Sequence, residues 1–167
     1  GQAQMQGGKV VKVVGYIADI TERKTMEEEI RNLAYFDPLT ALPNRRMLTD
    51  RLQAAIASSE RSGNYGGLIY LDLDNFKPLN DTHGHAAGDL LLIEAAKRLL
   101  HCVRQIDTVA RTGGDEFVVV LNGLSSKVST AAAECQHISA KILAALSMPY
   151  RLSAAPNGPQ VLPFFLL

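Results

Sequence analysis

The sequence predicts an α/β layer fold in which helices pack on a sheet with neighbouring antiparallel strands. Segments with the 3.6-residue periodicity of amphipathic helices alternate with short segments rich in valine and isoleucine. Two short segments, "DTVAR" and "EFVVVL", flank "TGG", and glycines between two β-type runs are typical of a tight hairpin. The resulting order is helix, strand, helix, hairpin, helix.

Composition places the chain among ordinary globular proteins. Its 167 residues, 47% hydrophobic and 20% charged, suffice for one domain with a core and an appendage. A formal net charge of zero gives no electrostatic signal for nucleic acid or an anionic membrane. No apolar run approaches the roughly 20 residues that span a bilayer. Cys102 and Cys135 lie far apart in helical patterns, which favours buried thiols in a reducing compartment over a disulfide.

The N-terminal segment predicts a strand or hairpin followed by a helix. "GKVVKVVGYIADI" is rich in β-branched residues and too short for a domain, so we expect the last strand of an upstream module. Asp19 and Glu22 have capping-box spacing before "TERKTMEEEIRNLAYF". Met26, Ile30 and Leu33 form a narrow apolar stripe on that helix. The stripe suits pairing with a second copy or docking on its own domain.

The next segment predicts a turn, a helix and a core strand. "DPLTALPNRR" has two prolines and is typical of a turn region. The helix that follows ends near "RSGNYGG", and "LIYLDLDNF" then predicts a core strand that finishes in acids. The apolar face expected for this helix consists of Leu48, Leu52, Ala55 and Ile56.

The second half predicts a loop, a helix, the hairpin and a last helix. "KPLNDTHGHAAGD" has the chemistry of loops and turns. "LLLIEAAKRLLHCV" predicts an amphipathic helix with Leu91, Ala95, Leu99 and Val103 on one face. The last helix is expected from about 129 to 146, and "SAAPNGPQVLPFFLL" beyond it matches no regular element. The inward residues expected on the last helix are Ala132, Cys135, Ile138 and Ile142.

Acidic residues gather where two predicted core strands meet the solvent. Asp72 and Asp74 lie two apart, so their side chains share one face of a strand. Asp115 begins the next core strand, and it converges with Asp72 if these strands are neighbours. Two close carboxylates repel each other, and a hard cation such as Mg²⁺ relieves the repulsion. The alternative is that these acids only terminate strands at the water boundary.

Polar residues between the acidic strand and the next helix could read a nucleotide. An amide at Asn80 and a carboxylate at Asp89 together match the hydrogen-bonding edge of guanine. Each also has a structural role available, since Asn80 could stabilise a turn and Asp89 could cap a helix. Lys77 could contact phosphates as a point charge, or it could be a solvated surface lysine.

Two further pairs of polar residues have a structural interpretation. His83 and His85 are two apart in a glycine-rich segment, and hydrogen bonding is favoured over metal binding there. Arg104 and Asp107 are three apart at a predicted helix end, the spacing of a surface ion pair that contributes about 0–1 kcal/mol.

Several motifs together resemble the GGDEF domain, the diguanylate cyclase family. "DPLTALPNR", "LDLDNFKPLNDTHGHAAGD" and "RQIDTVARTGGDEF" occur in this order, and the resemblance runs from about Asp37 to Leu146. It implies condensation of two GTP into cyclic diguanylate with release of pyrophosphate. It also implies a palm-like fold, as in nucleotidyl cyclases and polymerases, with helices packed on a mixed sheet and a central hairpin that carries the signature turn.

The resemblance also implies roles for individual residues. Asp72, Asp115 and the carbonyl of Leu73 match the positions that bind Mg²⁺ or Mn²⁺, and Glu116 is expected to support the metal and phosphates. Asn80 and Asp89 match the pair that reads guanine, and Lys77 matches a phosphate contact. Arg104 and Asp107 match the RxxD site of inhibition by cyclic diguanylate. The residues implied in catalysis itself are Asp115, Glu116 and Lys77.

The resemblance divides the chain and implies a dimer. "GYIADITERK" resembles the end of a PAS sensor module, so we expect a sensor remnant over 1–19, a signalling helix over 20–36, a GGDEF domain over 37–152 and an atypical tail over 153–167. Each domain holds one GTP, so product forms between two domains of a homodimer in the cytoplasm. The tail departs from the family, which leaves as the alternative an inactive module that binds GTP or cyclic diguanylate and regulates a neighbouring domain.

Overall fold

The structure, a computed structural model, describes residues 2–6, 9–14, 19–152 and 160–162. The chain divides into two compact units, residues 1–32 and 33–167. None of the helices in the described ranges is long and apolar enough to cross a membrane.

The first unit contains a β-hairpin and most of a helix. Strands β1 (Gln2–Gln6) and β2 (Lys9–Val14) pair antiparallel, so the segment predicted as a strand or hairpin contributes the strand β2, and its partner β1 precedes that segment. Helix α1 spans Thr21–Tyr35, and its first N–H, that of Thr21, donates to the Asp19 carboxylate at 2.9 Å. The stripe residues Met26, Ile30 and Leu33 are 61%, 68% and 71% exposed.

The second unit alternates helices and strands in the predicted order. Helix α2 begins after Asn44, whose side chain caps the N–H groups of its first turn, and ends at Gly63 in the left-handed conformation. The elements in chain order are α2 (Arg45–Ser62), β3 (Gly67–Asp72), α3 (Phe76–His83), α4 (His85–Cys102), β4 (Thr108–Gly113), β5 (Glu116–Leu121), α5 (Val128–Leu146), β6 (Tyr150–Leu152) and β7 (Gln160–Leu162).

The central sheet has the strand order β3-β5-β4, with β5 antiparallel to both neighbours. Strands β3 and β4 therefore run in the same direction, and the hairpin return strand β5 is inserted between them. Every strand pairing in the described residues is antiparallel. The α/β fold with helices packed on a sheet around a central hairpin is confirmed.

Helices α4 and α5 bury one face of this sheet. Leu91, Ala95 and Leu99 are fully buried on the predicted face of α4, and they pack in one cluster with Val119 and Leu121 of β5. These side chains are apolar, so their burial contributes hydrophobic stabilisation to the unit. Helix α2 lies against the opposite face, next to β4.

The segment predicted as a loop, "KPLNDTHGHAAGD", forms α3 and the first turns of α4 instead. Pro78 is the third residue of α3, where its missing N–H has no intrahelical partner to lose. Gly84, with φ 82°, ends α3 and precedes α4 directly. The turn residues that suggested a loop therefore mark the boundaries of two helices.

Three residues assigned to the apolar faces of helices are less buried than their spacing suggests. Ala132 is exposed and Ala131 is buried in its place, because Ala131, Ile142 and Leu146 set the inward face of α5. Val103 is half-buried at the C-cap of α4. Ile56 is exposed beside a groove of about 310 Å³ between α2 and β3, because α2 lies over β4 and leaves the outer side of β3 uncovered.

Arg98 of α4 ties the end of α5 to the core. Its guanidinium donates to the carbonyl oxygens of Ala145 at 3.0 Å, Met148 at 2.6 Å and Pro149 at 2.9 Å, and it stacks 3.8 Å from the ring centre of Tyr150. Burial raises the pKa of Tyr150 to about 12. Strands β6 and β7 pair antiparallel beyond this point, so part of the tail is regular, and residues 153–159 and 163–167 lie outside the described ranges.

Candidate functional site

The predicted acidic residues gather where β3 ends and β5 begins. Asp72, the last residue of β3, is directly opposite Glu116, the first residue of β5. Asp115 precedes Glu116 in the hairpin turn, which Gly113 and Gly114 form with φ of 146° and 53°. Positive φ at both positions favours glycine, so the signature sequence is what closes this turn.

The pKa of Asp72 responds to the other acidic residues at this edge. Partial burial raises the pKa of Asp72, and the negative charges of Asp115 and Glu116 raise it further. Asp74 adds a smaller repulsion, while the N–H of Leu73 opposes the rise. Asp72 is therefore the group most relieved by a bound cation.

Glu116 is held in its ionised form by two neighbouring hydroxyl groups. Hydrogen bonds from Tyr70 on β3 and Thr112 on β4 lower its pKa, and the charge of Arg45 lowers it further. The Thr112 hydroxyl donates to Oε2 at 3.0 Å. The hydrogen bond between Tyr70 and Glu116 also raises the pKa of Tyr70. Hydroxyl groups on the two neighbouring strands therefore fix the orientation of the Glu116 carboxylate on β5.

A buried ion pair connects the hairpin turn to the "DPLT" segment. Nη1 of Arg111 lies 2.9 and 3.0 Å from the carboxylate oxygens of Asp37, and its Nε and Nη2 donate to the carbonyl of Gly114 at 2.9 and 2.6 Å. The same Asp37 carboxylate accepts from the backbone and hydroxyl of Thr40, both at 2.7 Å. One guanidinium thus fixes the turn that carries Asp115.

The acidic edge fits a hard divalent cation. Carboxylate oxygens of Asp72 and Asp115 and the backbone carbonyl of Leu73 are the oxygen ligands that Mg²⁺ prefers, with substrate phosphates completing its shell. The described residues contain no group of three or more His, Cys, Asp or Glu side chains placed to hold a metal. The side chains of His83 and His85 are exposed outside any such group.

The predicted nucleotide-reading residues lie on α3 and α4. Lys77 is exposed in the first turn of α3, immediately beyond the acidic strand end. Asn80 is half-buried in the last turn of α3, and Asp89 is exposed near the start of α4. The junction at Gly84 brings the two helices together, so an amide and a carboxylate project from neighbouring elements.

Arg104 and Asp107 lie in the loop before β4, at the end of that strand away from the acidic residues. The Asp107 carboxylate accepts from the backbone N–H groups of Arg104 and Asn122, each at 2.9 Å. In the described part of the chain these two side chains do not form the surface ion pair that their spacing suggested. Asp107 instead shapes the loop, and the guanidinium of Arg104 is exposed.

Sequence analysis missed Asp37, Arg111, Thr112 and Tyr70 as parts of the site. Arg111 and Asp37 are 74 positions apart, and both stand inside motifs that we had quoted for other reasons. The available signal was the alternation of side chains along strands, since Tyr70 is two residues before Asp72 and shares its face.

Comparison with known proteins agrees with this geometry. The family profile described as "Diguanylate cyclase, GGDEF domain" matches residues 34–161. The chain is 42% identical over 125 residues to the bifunctional diguanylate cyclase/cyclic di-GMP phosphodiesterase MucR of Pseudomonas aeruginosa, a match that covers 75% of the chain and 17% of MucR. It is 41% identical over 134 residues to the cyclic di-GMP phosphodiesterase PdeR of Escherichia coli, covering 80% of the chain and 19% of PdeR.

A solved structure has the same fold. The crystallised GGDEF domain of TpbB (YfiN) from Pseudomonas aeruginosa superimposes with a TM-score of 0.69 at 36% identity, covering 77% of this chain and 70% of that one. The chain spans less than a fifth of the length of MucR or PdeR. The profile match covers well over half of the sequence, and the chain belongs to the GGDEF domain family, whose members include diguanylate cyclases.

Proposed function

We propose that this chain is a diguanylate cyclase domain that condenses two GTP into cyclic diguanylate and releases two pyrophosphates. The observation that carries the proposal is the convergence of Asp72, Asp115 and Glu116 at one edge of the sheet, with the pKa of Asp72 raised by the other two charges. Such an edge would favour a cation together with substrate phosphates. The family relationship indicates that these phosphates belong to a nucleotide.

Each proposed role follows from where the side chain lies. Bound Mg²⁺ or Mn²⁺ would neutralise phosphate charge and activate the attacking 3′-hydroxyl. Asp72, Asp115 and the Leu73 carbonyl hold the ion, and Glu116, oriented by Tyr70 and Thr112, supports it. Phosphoryl transfer of this kind depends on positioning and charge stabilisation, which these fixed carboxylates supply without a covalent nucleophile.

The nucleotide is positioned by α3 and α4. Lys77 contacts phosphates beside the acidic edge, and Asn80 with Asp89 reads the guanine edge. Two domains, each with one GTP, must face each other for both bonds to form, so catalysis requires a homodimer. The exposed stripe of α1 supplies an apolar surface suited to that pairing.

Regulation and location follow from the same reaction. Arg104 and Asp107 bind the product cyclic diguanylate away from the acidic edge, and the exposed guanidinium suits a phosphate ligand. The expected compartment is the cytoplasm, where GTP is available. We expect no nucleic acid and no membrane contact for this chain.

The test follows GTP and product by chromatography, with Mg²⁺ and at protein concentrations that allow dimers. The expected result is cyclic diguanylate and pyrophosphate, both lost in Asp115→Asn. Asp50→Asn, which changes an exposed aspartate of α2, is the matched control and should retain activity. Arg104→Ala should weaken cyclic diguanylate binding while GTP affinity stays the same. A folded dimer that makes no product contradicts the cyclase proposal.

A second candidate is a non-catalytic module that binds GTP or cyclic diguanylate and regulates a neighbouring domain. The observation that favours it is the 41% identity to PdeR, which is named as a phosphodiesterase rather than as a cyclase. Calorimetry separates the two candidates, because the module should bind nucleotide without turnover. A chain that binds neither GTP nor cyclic diguanylate refutes both.

A further inference from the structure

Gly88 of α4 packs directly on the side chain of Asn80. Gly88 is buried, and the amide oxygen of Asn80 is enclosed with no hydrogen-bond partner in the described residues. A buried acceptor without a donor is unfavourable, so hydrogen bonding does not hold this amide in place. Packing against α4 holds the Asn80 amide in place instead.

The space that the amide fills is the space of a missing side chain. A Cβ at Gly88 would overlap Oδ1 of Asn80, and it would lie 2.9 Å from Cγ and 3.2 Å from Nδ2. Gly84, which joins α3 to α4, needs glycine for its positive φ, and a Cβ there would meet nothing within 4 Å. Gly88 lies inside a helix and has no positive φ, so its role is steric.

We propose that Gly88 is a specificity-determining positioning residue for the guanine base, an inference that rests on the proposed function. Its missing side chain lets the Asn80 amide lie against the turn of α4 that carries Asp89, the next residue. A methyl group at Gly88 forces that amide to rotate away, because the end of a side chain moves more readily than two packed helices. The guanine base then loses its contact with Asn80, one of the two residues proposed to bind its edge.

Gly88→Ala in the whole chain tests this inference by calorimetric titration with GTP and with ATP. The expected result is about a tenfold or larger loss of GTP affinity with ATP affinity unchanged, since losing the hydrogen bonding of one residue to the base edge costs discrimination of that order. Gly66→Ala is the matched control. Its new methyl would lie 3.3 Å from the Leu121 carbonyl, and Gly66 directly precedes the first residue of β3, whereas Asp72 is the last residue of that strand. The control should keep the preference for GTP.

A double variant separates positioning from simple damage to the fold. Asn80→Ala should weaken the preference for GTP about as much as Gly88→Ala does, and adding Gly88→Ala should cost nothing more, because the methyl then has room. Thermal stability should fall in Gly88→Ala because the new methyl clashes with Asn80. It should recover in the double variant, where the clash is absent and alanine is the better helix former. A single variant that does not fold, beside a double variant that does, is the same result in stronger form.

The outcomes distinguish this inference from the function on which it rests. An unsubstituted protein that binds GTP no better than ATP refutes the proposed guanine reading and this role together. A preference for GTP that survives Gly88→Ala refutes the role of Gly88 alone. Additive losses in the double variant, or a double variant that also fails to fold, overturn the steric competition with Asn80.

Discussion

Loss of the Asp37 carboxylate should both destabilise the second unit and loosen the signature turn. The Arg111 and Asp37 side chains are 11% and 15% exposed, so Asp37→Ala leaves a nearly buried guanidinium without its counter-ion. Breaking a buried pair from one side costs about 3–5 kcal/mol. Because this pair is partly exposed, we expect a loss at the lower end, about 3 kcal/mol. That loss corresponds to a fall in the melting temperature of roughly 6–12 °C.

The isosteric change Asp37→Asn isolates the charge. Burial alone raises the pKa of Asp37, but the hydrogen bonds from Thr40 and the hydrogen bond and charge of Arg111 outweigh it and leave the pKa below 3.8. The ionised form therefore contributes stability that is present above pH 3.8 and is lost as the pH falls through the lower folded-state pKa. We expect Asp37→Asn to destabilise the second unit near neutral pH and to do so progressively less in acid.

Urea unfolding followed by circular dichroism measures both variants, with Asp50→Asn as the exposed control. The same preparations should bind Mg²⁺ and GTP more weakly, because Arg111 no longer fixes the carbonyl of Gly114 and the turn beside Asp115. A loss below about 0.5 kcal/mol for Asp37→Ala, the scale of ordinary surface changes, would refute the reasoning. So would a cost for Asp37→Asn that does not change between neutral and acidic pH.

Three further predictions concern the core and the acidic edge. Arg98→Ala should lower the free energy of unfolding by about 3 kcal/mol, because three carbonyl groups lose a charged donor. Thr112→Val should raise the pKa of Glu116, measured by NMR titration of its carboxyl carbon, because a hydrogen bond to the ionised form is lost. Asp115→Asn should lower the pKa of Asp72 in the same titration, because one repelling charge is removed.

Each of these predictions has a control and a contradicting result. Lys97→Ala, next to Arg98 but with a side chain 63% exposed, should change stability by less than about 0.5 kcal/mol, and an equal loss in both variants contradicts the role of Arg98. Thr108→Val on the same strand should leave Glu116 unaffected, and a shift there equal to that of Thr112→Val would show a general strand effect. An unchanged Asp72 in Asp115→Asn means that the two carboxylates are too far apart to share a cation.

Helix α4 and the core strands were predictable because the apolar residues of each recur with the period of a helix or a strand. Leu91, Ala95 and Leu99 recur at helical spacing, and all three are fully buried in the folded chain. The limit of this reasoning shows at Ile56, which has the right spacing but lies beside a strand face that no described element covers. Periodicity identifies an apolar face; it does not identify which neighbour covers that face.

The convergence of the acidic residues was predictable from the sequence, and the contacts around them were less so. Placing Asp72 and Asp115 near each other required only that their strands be neighbours, and the register puts Glu116 directly opposite Asp72. The pairing of Asp37 with Arg111 spans 74 positions, and nothing in local spacing encodes a contact over that distance. Such contacts follow from the packed fold, which depends on all of the chain at once.

The wrong loop prediction over residues 77–89 has a physical cause that bears on function. Asn75 adopts φ 59° and Gly84 φ 82°, so α3 is bracketed by two left-handed residues that break any continuous helical pattern. Those breaks turn the chain sharply on both sides of α3, which places Lys77 beside the acidic edge and Asn80 against α4. Local sequence signals conflict with the element here because residues typical of turns lie at both ends of a short helix. Conflicts of this kind are expected where a fold accommodates a functional site, which agrees with the roles proposed for Lys77, Asn80 and Gly88.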